Sequence, residues 1–326
     1  MQLVLDTYGL VVKKKDNRFL IIADKTERQI SPMKVTSIAV TADCLISTAA
    51  MNLAIKHEIP IFLINRLGKI TGRIWSASFS GLPETRKQQA LFDGHADAAA
   101  WLSNLYLLKT ERQVEVLNWI KENRHTTDIW EEAMQRSDTA RVDFRAAAGL
   151  PLEEAKSRLL TIEAHFAKAY WQAISDSLPT GWQFAKRSRM PAEDPFNAVL
   201  NYGYGMLYGV IETAAFTAGL DPYMGLLHAE EYKTPALTFD LIEPFRPWLD
   251  REIMAHFYQE KFKPTHFKPI KHGWQLDKPG KMVWIPAFQD WLRAKTIDQD
   301  GRNTRRRSQI NRFAADFANY LRTWKP

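Results

Sequence analysis

The chain has 326 residues, 45% of them hydrophobic and 25% charged, so it lies in the globular range and can form one large domain or two smaller ones. Its apolar stretches are shorter than the ~18 residues of a membrane span, and its N-terminus lacks the pattern of a secretory signal, so we expect a cytoplasmic protein without membrane contact. The single cysteine excludes internal disulfides and cysteine-rich zinc sites, while the formal net charge of +7 is compatible with a polyanionic partner.

The N-terminal quarter carries the signals of a β-rich domain. Short β-branched runs recur along it, and the dipeptide Asp16-Asn17 between two of them is typical of a hairpin turn. Ser47 is placed to cap a helix that runs through His57. The segment Ser76–Pro83 is predicted to be a linker. The predicted strands are Leu10–Val12, Phe19–Ile22, Ile38–Val40, Ile59–Ile64 and Ile70–Trp75.

From Glu84 onward the apolar residues take helical spacing. The series Trp101, Leu102, Leu105, Leu108 is an example, and few turn signals interrupt it. The sequence therefore predicts an α+β fold, with an N-terminal β-rich domain at 1–80 followed by a larger all-α domain at 81–326.

Glu163 is anomalous within the helix predicted at Pro151–Leu178. Its face is otherwise apolar, because Leu159, Phe166, Ala167 and Tyr170 follow at intervals of three or four residues. A carboxylate on such a face costs several kcal/mol to bury unless it is paired, hydrogen-bonded or bound to a metal ion. Two explanations are open: a metal ligand, or a glutamate in a salt bridge or at the edge of the apolar stripe.

A second group of candidates follows a turn at Gly219–Pro222. His228 ends the apolar run Met224–Leu227, and Asp240 and Glu243 follow the strand-like stretch Pro235–Phe239. Two or three carboxylates and one imidazole form a hard donor set that suits Mg²⁺ or Mn²⁺. Alternatively, His228 is a hydrogen-bonded core residue, and the two acids occupy a first helical turn, where capping favours them.

The positive charge is concentrated near the C-terminus. The segment Lys261–Arg307 contains 12 Lys and Arg residues against four Asp residues, a local net charge of +8, whereas the rest of the chain nets about −1. Aromatic residues interleave with these cations, as in surfaces that neutralise phosphates and stack on bases. Such a segment predicts nucleic-acid binding, although a solvated surface over ordinary core aromatics has the same composition. Arg305, Arg306 and Arg307 are its densest cluster.

Three consecutive motifs resemble the CRISPR-associated integrase and endonuclease family of the spacer-acquisition complex. They are DPFNAVLNYGY at 194–204, GLDPYMGLLH at 219–228 and FDLIEPFRP at 239–247. The match in order, spacing and residue type is specific in this block. The resemblance extends more weakly to the Glu163 helix and the N-terminal strands, so it covers most of the chain.

This resemblance implies the function and the ligands. Members of the family attack the borders of a CRISPR repeat with the 3′-OH ends of a short DNA duplex, and they cleave DNA in a metal-dependent reaction. Their ligands for Mg²⁺ or Mn²⁺ map onto Glu163, His228 and Glu243, with Asp240 as a neighbouring catalytic acid. The family also forms a homodimer through the N-terminal domain and assembles with a small dimeric partner protein.

Five further residues near the motifs are candidate contacts to the double-stranded DNA of the spacer precursor or the repeat. The basic ones could equally be solvated, and the tyrosines could equally pack in the core. They are Lys186, Arg187, Arg189, Tyr202 and Tyr208.

Two alternative functions remain open at this point. The first is a partner-dependent DNA-binding or assembly subunit without catalysis. The second is a general nuclease that acts on branched or single-stranded DNA in repair.

Overall fold

The computed structural model describes residues 2–23, 26–35, 37–64, 70–76, 83–123, 128–228, 235–298 and 300–325. The chain divides into two compact units, Met1–Ser80 and Gly81–Pro326. Residues 77–82 of the predicted linker lie outside the described residues. None of the described helices is both long enough and apolar enough to cross a membrane.

The described residues of the first unit form two four-stranded sheets and the helix α1. One sheet has the strand order β1-β5-β7-β8, with β8 antiparallel and the rest parallel, and the other has the order β4-β3-β2-β6. Leu5, Val12, Phe19 and Ile61 are among its fully buried core residues. The elements are β1 Gln2–Leu5, β2 Val11–Lys15, β3 Arg18–Ala23, β4 Thr26–Ile30, β5 Ser37–Val40, β6 Leu45–Ile46, α1 Thr48–Lys56, β7 Ile61–Ile64 and β8 Ile70–Ile74.

Two local predictions for this unit are confirmed. Asp16 and Asn17 have φ angles of 48° and 55° and join β2 to β3, as a two-residue hairpin turn requires. The Ser47 side chain accepts a hydrogen bond from the Ala50 backbone N–H at 3.2 Å, and it caps α1, whose C-cap is His57.

The second unit is predominantly helical, as predicted. Its largest buried helix is α6, which starts at an Asp-Pro pair because the Asp194 carboxylate caps the Asn197 N–H at 2.8 Å. The elements are α2 Pro83–Asp93, α3 Asp97–Asn123, α4 Asp128–Ala147, α5 Leu152–Ser177, α6 Pro195–Thr217, α7 Ala236–Ile242, α8 Arg246–Tyr258, β9 Phe267–Ile270, β10 Gly273–Leu276, α9 Lys278–Arg293, β11 Lys295–Ile297, β12 Asn303–Arg305 and α10 Arg306–Thr323.

Two features of this unit differ from the sequence prediction. Two short hairpins, β9–β10 and β11–β12, interrupt the helices, and their strands of three or four residues are too short to show a clear alternation. The strand-like stretch Pro235–Phe239 is instead the start of α7. Its residues are buried on nearly all sides, so their apolar run carries no period that separates strand from helix.

Candidate active site

The four predicted site residues come from three separate places in the fold and meet in one region. Glu163 lies in the middle of α5, and His228 lies in the loop after α6. Asp240 belongs to the last turn of α7, and Glu243 begins a short 3₁₀ turn that leads into α8. The two acids therefore end one helix and start the next turn, rather than opening a helix as the sequence suggested.

Lys109 of α3 links the two glutamates. Its Nζ lies 2.7 Å from Glu163 Oε1 and 2.6 Å from Glu243 Oε2, and only 7% of its side chain is exposed. Burial lowers the pKa of Lys109, but the two carboxylates outweigh burial and raise it above the ordinary value. Lys109 therefore stays charged, and one ammonium group draws together carboxylates from α5 and the 3₁₀ turn.

Glu243 is a buried carboxylate that two cations keep ionised. Arg246 Nη1 lies 2.7 Å from its Oε1, and the side chain is 3% exposed. Burial raises the pKa of Glu243, but Arg246 and Lys109 outweigh burial and lower it to about 2. Oε2 is buried, and the Lys109 ammonium lies 2.6 Å from it. This oxygen keeps a lone pair that a cation can use.

Asp240 orients His228. Its fully buried carboxylate accepts hydrogen bonds from the backbone N–H groups of Leu226, Leu227 and His228, at 2.7, 3.3 and 3.3 Å. It also lies 2.7 Å from His228 Nδ1. Because a carboxylate can only accept, the imidazole carries its proton on Nδ1, and Nε2 presents a free lone pair. The His228 side chain is 34% exposed, so that lone pair can be reached.

The loop that carries His228 is anchored from α2 by Gln89. The Gln89 side chain donates to the carbonyls of Asp221 and Met224, at 2.8 and 2.9 Å, and accepts from the Asp221 N–H at 2.9 Å. Gly225 lets the loop pack on α7, because a Cβ at this position would lie 2.5 Å from the Ala236 Cβ. The backbone before His228 therefore has little freedom to move.

The Glu243 turn is anchored from α3 by Arg112. Its Nη1 donates to the Pro244 carbonyl at 2.7 Å, and its guanidinium lies 3.8 Å from the centroid of the Trp248 ring. Burial lowers the pKa of Arg112 to about 10, so the group remains charged at neutral pH. Arg112 follows Lys109 by three residues, so a single face of α3 holds both the backbone and the carboxylate of the turn.

Neither Lys109, Arg112 nor Gln89 was singled out from the sequence. For α3 a signal existed, since Lys109 and Arg112 occupy positions in the same buried series as Leu102, Leu105 and Val116. A cation on an apolar stripe is the counterpart of the anomaly that pointed to Glu163. Gln89 gave no comparable signal, because an isolated glutamine in an amphipathic helix is common.

The donor set fits a hard divalent cation. Glu163 Oε1, Glu243 Oε2 and His228 Nε2 are carboxylate and imidazole donors of the kind that Mg²⁺ and Mn²⁺ accept. Within the described residues, no three His, Cys, Asp or Glu side chains already converge as a metal-binding group. The Lys109 ammonium lies within 2.7 Å of both glutamates.

Arg187, one of the predicted DNA contacts, is hydrogen-bonded to α6. Its guanidinium donates to Asn197 Oδ1 and Asn201 Oδ1, both at 2.8 Å, and lies over the Tyr204 ring. Burial lowers the pKa of Arg187, in keeping with its enclosed position. These bonds tie the 186–189 segment to α6 and leave the guanidinium little capacity for a phosphate.

Lys186 and Arg189 flank Arg187 and are both exposed, although Lys186 Nζ lies 3.1 Å from Glu193. The Tyr208 hydroxyl accepts a hydrogen bond from Arg246 at 2.8 Å. Tyr202 is half-buried, with Lys281 Nζ 5.3 Å from its ring centroid.

The three arginines at the start of α10, which are predicted DNA contacts, differ in exposure and partners. Arg305 is exposed. Arg306 donates to the Trp291 carbonyl at 3.0 Å, and Arg307 is half-buried, which lowers its pKa to about 10. Arg306 therefore joins α10 to α9, and only Arg305 presents its whole side chain to a ligand.

The sequence is similar to curated proteins across nearly its full length. It is 27% identical to CRISPR-associated endonuclease Cas1 1 of Archaeoglobus fulgidus, over 99% of this chain and 96% of that protein. It is 31% identical to CRISPR-associated endonuclease Cas1 1 of Methanospirillum hungatei, over 82% of this chain and 79% of that protein.

Solved structures share the fold at lower sequence identity. A Cas1 protein from Thermotoga maritima superposes with a TM-score of 0.82 at 20% identity, covering 98% of this chain and 97% of that one. A casposase bound to integration product gives 0.83 at 19%, covering 99% and 91%. A chain of a Cas6-RT-Cas1–Cas2 complex gives 0.81 at 19%, covering 98% and 35%.

The sequence also matches a model of a whole protein family. The family described as CRISPR associated protein Cas1 matches residues 3–290, which is most of the chain and includes Glu163, His228, Asp240 and Glu243. This chain belongs to the Cas1 family of CRISPR-associated proteins.

Proposed function

We propose that the chain is a DNA endonuclease and integrase, dependent on Mg²⁺ or Mn²⁺, that inserts short DNA fragments into a CRISPR array. The observation that carries the proposal is the convergence of Glu163 and Glu243 on one cation position, beside a His228 whose Nε2 is freed by Asp240. The curated relatives and a solved structure of the same fold support this proposal. Curated relatives are named endonucleases, and one protein of the same fold was solved bound to an integration product.

Glu163, His228 and Glu243 would hold the ion. The chemistry that such an ion would supply is polarisation of a phosphodiester and easier deprotonation of the attacking hydroxyl. Asp240 keeps the imidazole in the tautomer that leaves Nε2 available, and Arg112 and Gln89 hold the backbones of the two ligand segments. Arg246 and Lys109 place positive charge beside the carboxylates, where it would offset the negative charge of the scissile phosphate.

The transfer step conserves phosphodiester bonds. The 3′-hydroxyl oxygen of the incoming fragment forms a bond to phosphorus and loses its proton, while the bond from phosphorus to the 3′ oxygen of the target strand breaks. That leaving oxygen takes up a proton. One ester replaces another, so no nucleotide triphosphate is required, which is consistent with a sequence that has no P-loop motif. Cleavage is the same displacement with water as the nucleophile.

We further propose three partners: double-stranded DNA, a second copy of this chain and a small dimeric adaptation protein. The positive segment 261–307 is suited to DNA, and the β-rich unit is the predicted dimerisation domain. The shared fold with a chain of a complex that contains Cas2 supports the small partner.

A strand-transfer assay tests the proposal. Purified chain, partner protein, Mn²⁺ and a labelled duplex with 3′-OH ends are incubated with a supercoiled plasmid that carries the matching repeat. We expect label to join the repeat borders in a reaction that ethylenediaminetetraacetate stops. Absence of joined product with the correct partner and repeat would favour a non-catalytic assembly subunit. Cleavage without repeat preference or partner would favour a repair nuclease.

A further inference from the structure

We propose that Lys109 weakens divalent-metal binding in the DNA-free protein, so that the metal ion and a DNA phosphodiester bind cooperatively. The inference rests on the proposed function of the site as a metal centre. It concerns the order and coupling of binding, which neither the donor set nor the family membership specifies.

The positive and negative charges of the site nearly balance. Glu163, Glu243 and Asp240 carry three negative charges, and Lys109 and Arg246 carry two positive ones, so the cluster nets −1 with His228 neutral. Asp240 is committed to His228 and to three backbone N–H groups. The two carboxylates that would bind an ion are thus balanced by two adjacent cations, which reduces their attraction for a divalent cation.

Lys109 and a metal ion would compete for the same carboxylate oxygen atoms. Lys109 Nζ lies 2.7 Å from Glu163 Oε1 and 2.6 Å from Glu243 Oε2, which are distances of direct ion pairing. A metal ion that takes these oxygens must displace the ammonium or lie beside it. Because Lys109 is 7% exposed, solvent and salt screen this repulsion poorly.

A DNA phosphodiester would give Lys109 a second possible partner. Its non-bridging oxygens bring a negative charge and acceptors for an ammonium, so Lys109 can exchange a carboxylate partner for a phosphate partner. The carboxylate oxygens then become available to the ion. Linkage requires reciprocity, so DNA tightens metal binding by the same factor by which the metal tightens DNA binding.

If Lys109 sets the metal affinity, removing its charge should change that affinity. Lys109→Met removes the charge and keeps a side chain of similar length. Mn²⁺ binding is measured at pH 8 by calorimetry and by the electron paramagnetic resonance signal of free Mn²⁺. The measurements are made with Mn²⁺ alone and with a short duplex that has 3′-deoxy ends, so that no strand transfer occurs. Lys109→Arg keeps the charge, and Lys121→Met changes an exposed lysine on the same helix.

For the wild-type chain we expect the duplex to tighten Mn²⁺ binding about tenfold or more. Lys109→Met should bind Mn²⁺ alone about tenfold more tightly than wild type, and the duplex should then add much less. Lys109→Arg and Lys121→Met should behave like wild type. Circular dichroism and thermal unfolding establish that each variant is folded.

Equal Mn²⁺ affinity of the wild-type chain with and without DNA would overturn the inference, and this result is independent of how any variant folds. Unchanged or weaker Mn²⁺ binding by folded Lys109→Met would overturn it as well. Failure of the proposed function looks different. In that case Mn²⁺ binds cooperatively with DNA, yet the strand-transfer assay yields neither joined nor cleaved product.

Discussion

Two positively charged regions of the helical unit differ in what their charges do. Lys109 and Arg246 are buried, and each contacts a carboxylate at 2.7 Å or less. In the segment 261–307, by contrast, most lysines are exposed to solvent. In the first region, the cations hold carboxylates in place in the protein interior, where solvent and salt screen charges poorly. In the second region, the exposed lysines can contact a polyanion at the protein surface. A count of charges along the sequence detects only the second.

The exposed segment is also less positive than its composition indicates. Arg302 pairs with Asp300 at 3.2 Å, Arg293 with Asp290 at 3.4 Å, and Arg306 is held by a carbonyl in α9. The cations left for DNA lie mainly around the β9–β10 hairpin. They include Lys268, Lys271 and Lys278.

The largest effects should follow from changes to the predicted ligands in the buried region. His228→Ala and Glu163→Ala should each lower cleavage and strand transfer by at least about 100-fold, because a donor to the metal is lost. DNA binding, measured by fluorescence anisotropy in the absence of divalent ions, should stay within about twofold of wild type. Glu154→Ala, which removes an exposed carboxylate from the same helix as Glu163, is the control. If either variant keeps wild-type activity, the replaced residue is not a metal ligand.

A smaller loss of activity should follow from releasing the His228 loop. Gln89→Met removes three hydrogen bonds and should lower kcat about tenfold while KM for DNA is nearly unchanged, because the imidazole loses its position but the DNA surface does not. Gln89→Glu should not recover kcat, because it turns a buried carboxylate oxygen towards the carbonyls of Asp221 and Met224. Gln88→Met on the same helix is the matched control. Equal loss of kcat in Gln88→Met and Gln89→Met would argue for a general effect on α2.

Changes to the exposed region should alter salt dependence more than catalysis. Combined replacement of Lys268, Lys271 and Lys278 by Ala should weaken DNA binding and lower the slope of log K against log salt by up to about 3, since each lost phosphate contact contributes roughly 0.9. Anisotropy titrations between 50 and 200 mM salt give the slope. A slope equal to that of Lys121→Ala would show that these lysines are solvated and do not contact DNA.

A separate effect, on stability instead of activity, concerns a buried acid next to the site. Tyr170 and Tyr204 donate to Asp250 at 2.9 and 2.5 Å, but burial dominates and raises the Asp250 pKa to about 6. A raised carboxyl pKa means that the folded chain holds the proton more tightly than the unfolded chain. This residue therefore lowers stability as pH rises from about 4 to about 6, by up to about 3 kcal/mol.

Asp250→Asn should remove that loss. The difference in unfolding free energy, variant minus wild type, should grow by roughly 2 kcal/mol between pH 4 and pH 7 in urea titrations. Asp290→Asn, at an aspartate whose side chain is 77% exposed, should show no such trend. Parallel pH profiles for wild type and Asp250→Asn would contradict the assignment of this carboxyl as a buried titrating group.

Features that depend on neighbouring residues could be predicted from the sequence. The Asp16-Asn17 turn and the Ser47 cap are local backbone chemistry, and the long helix around Glu163 follows from its apolar period. The fully buried α7 could not be told from a strand, because burial on all sides removes the period.

The site was only partly visible for a similar reason. The family motifs join His228, Asp240 and Glu243, but pairing across the fold has no local signature. Lys109 meets Glu163 from 54 positions away, and Gln89 holds a loop 132 positions along the chain. The contact between His228 and Asp240 assigned a role that spacing left open, since an acid that accepts four hydrogen bonds orients the histidine.

The most direct measurement is anomalous diffraction from a crystal of the chain soaked in Mn²⁺ together with the 3′-deoxy duplex. The account predicts one strong peak at a coordination distance of about 2.1 Å from Glu163, His228 Nε2 and Glu243, with Asp240 still bonded to Nδ1. A peak that Asp240 ligates directly, or a peak away from these three side chains, would contradict it.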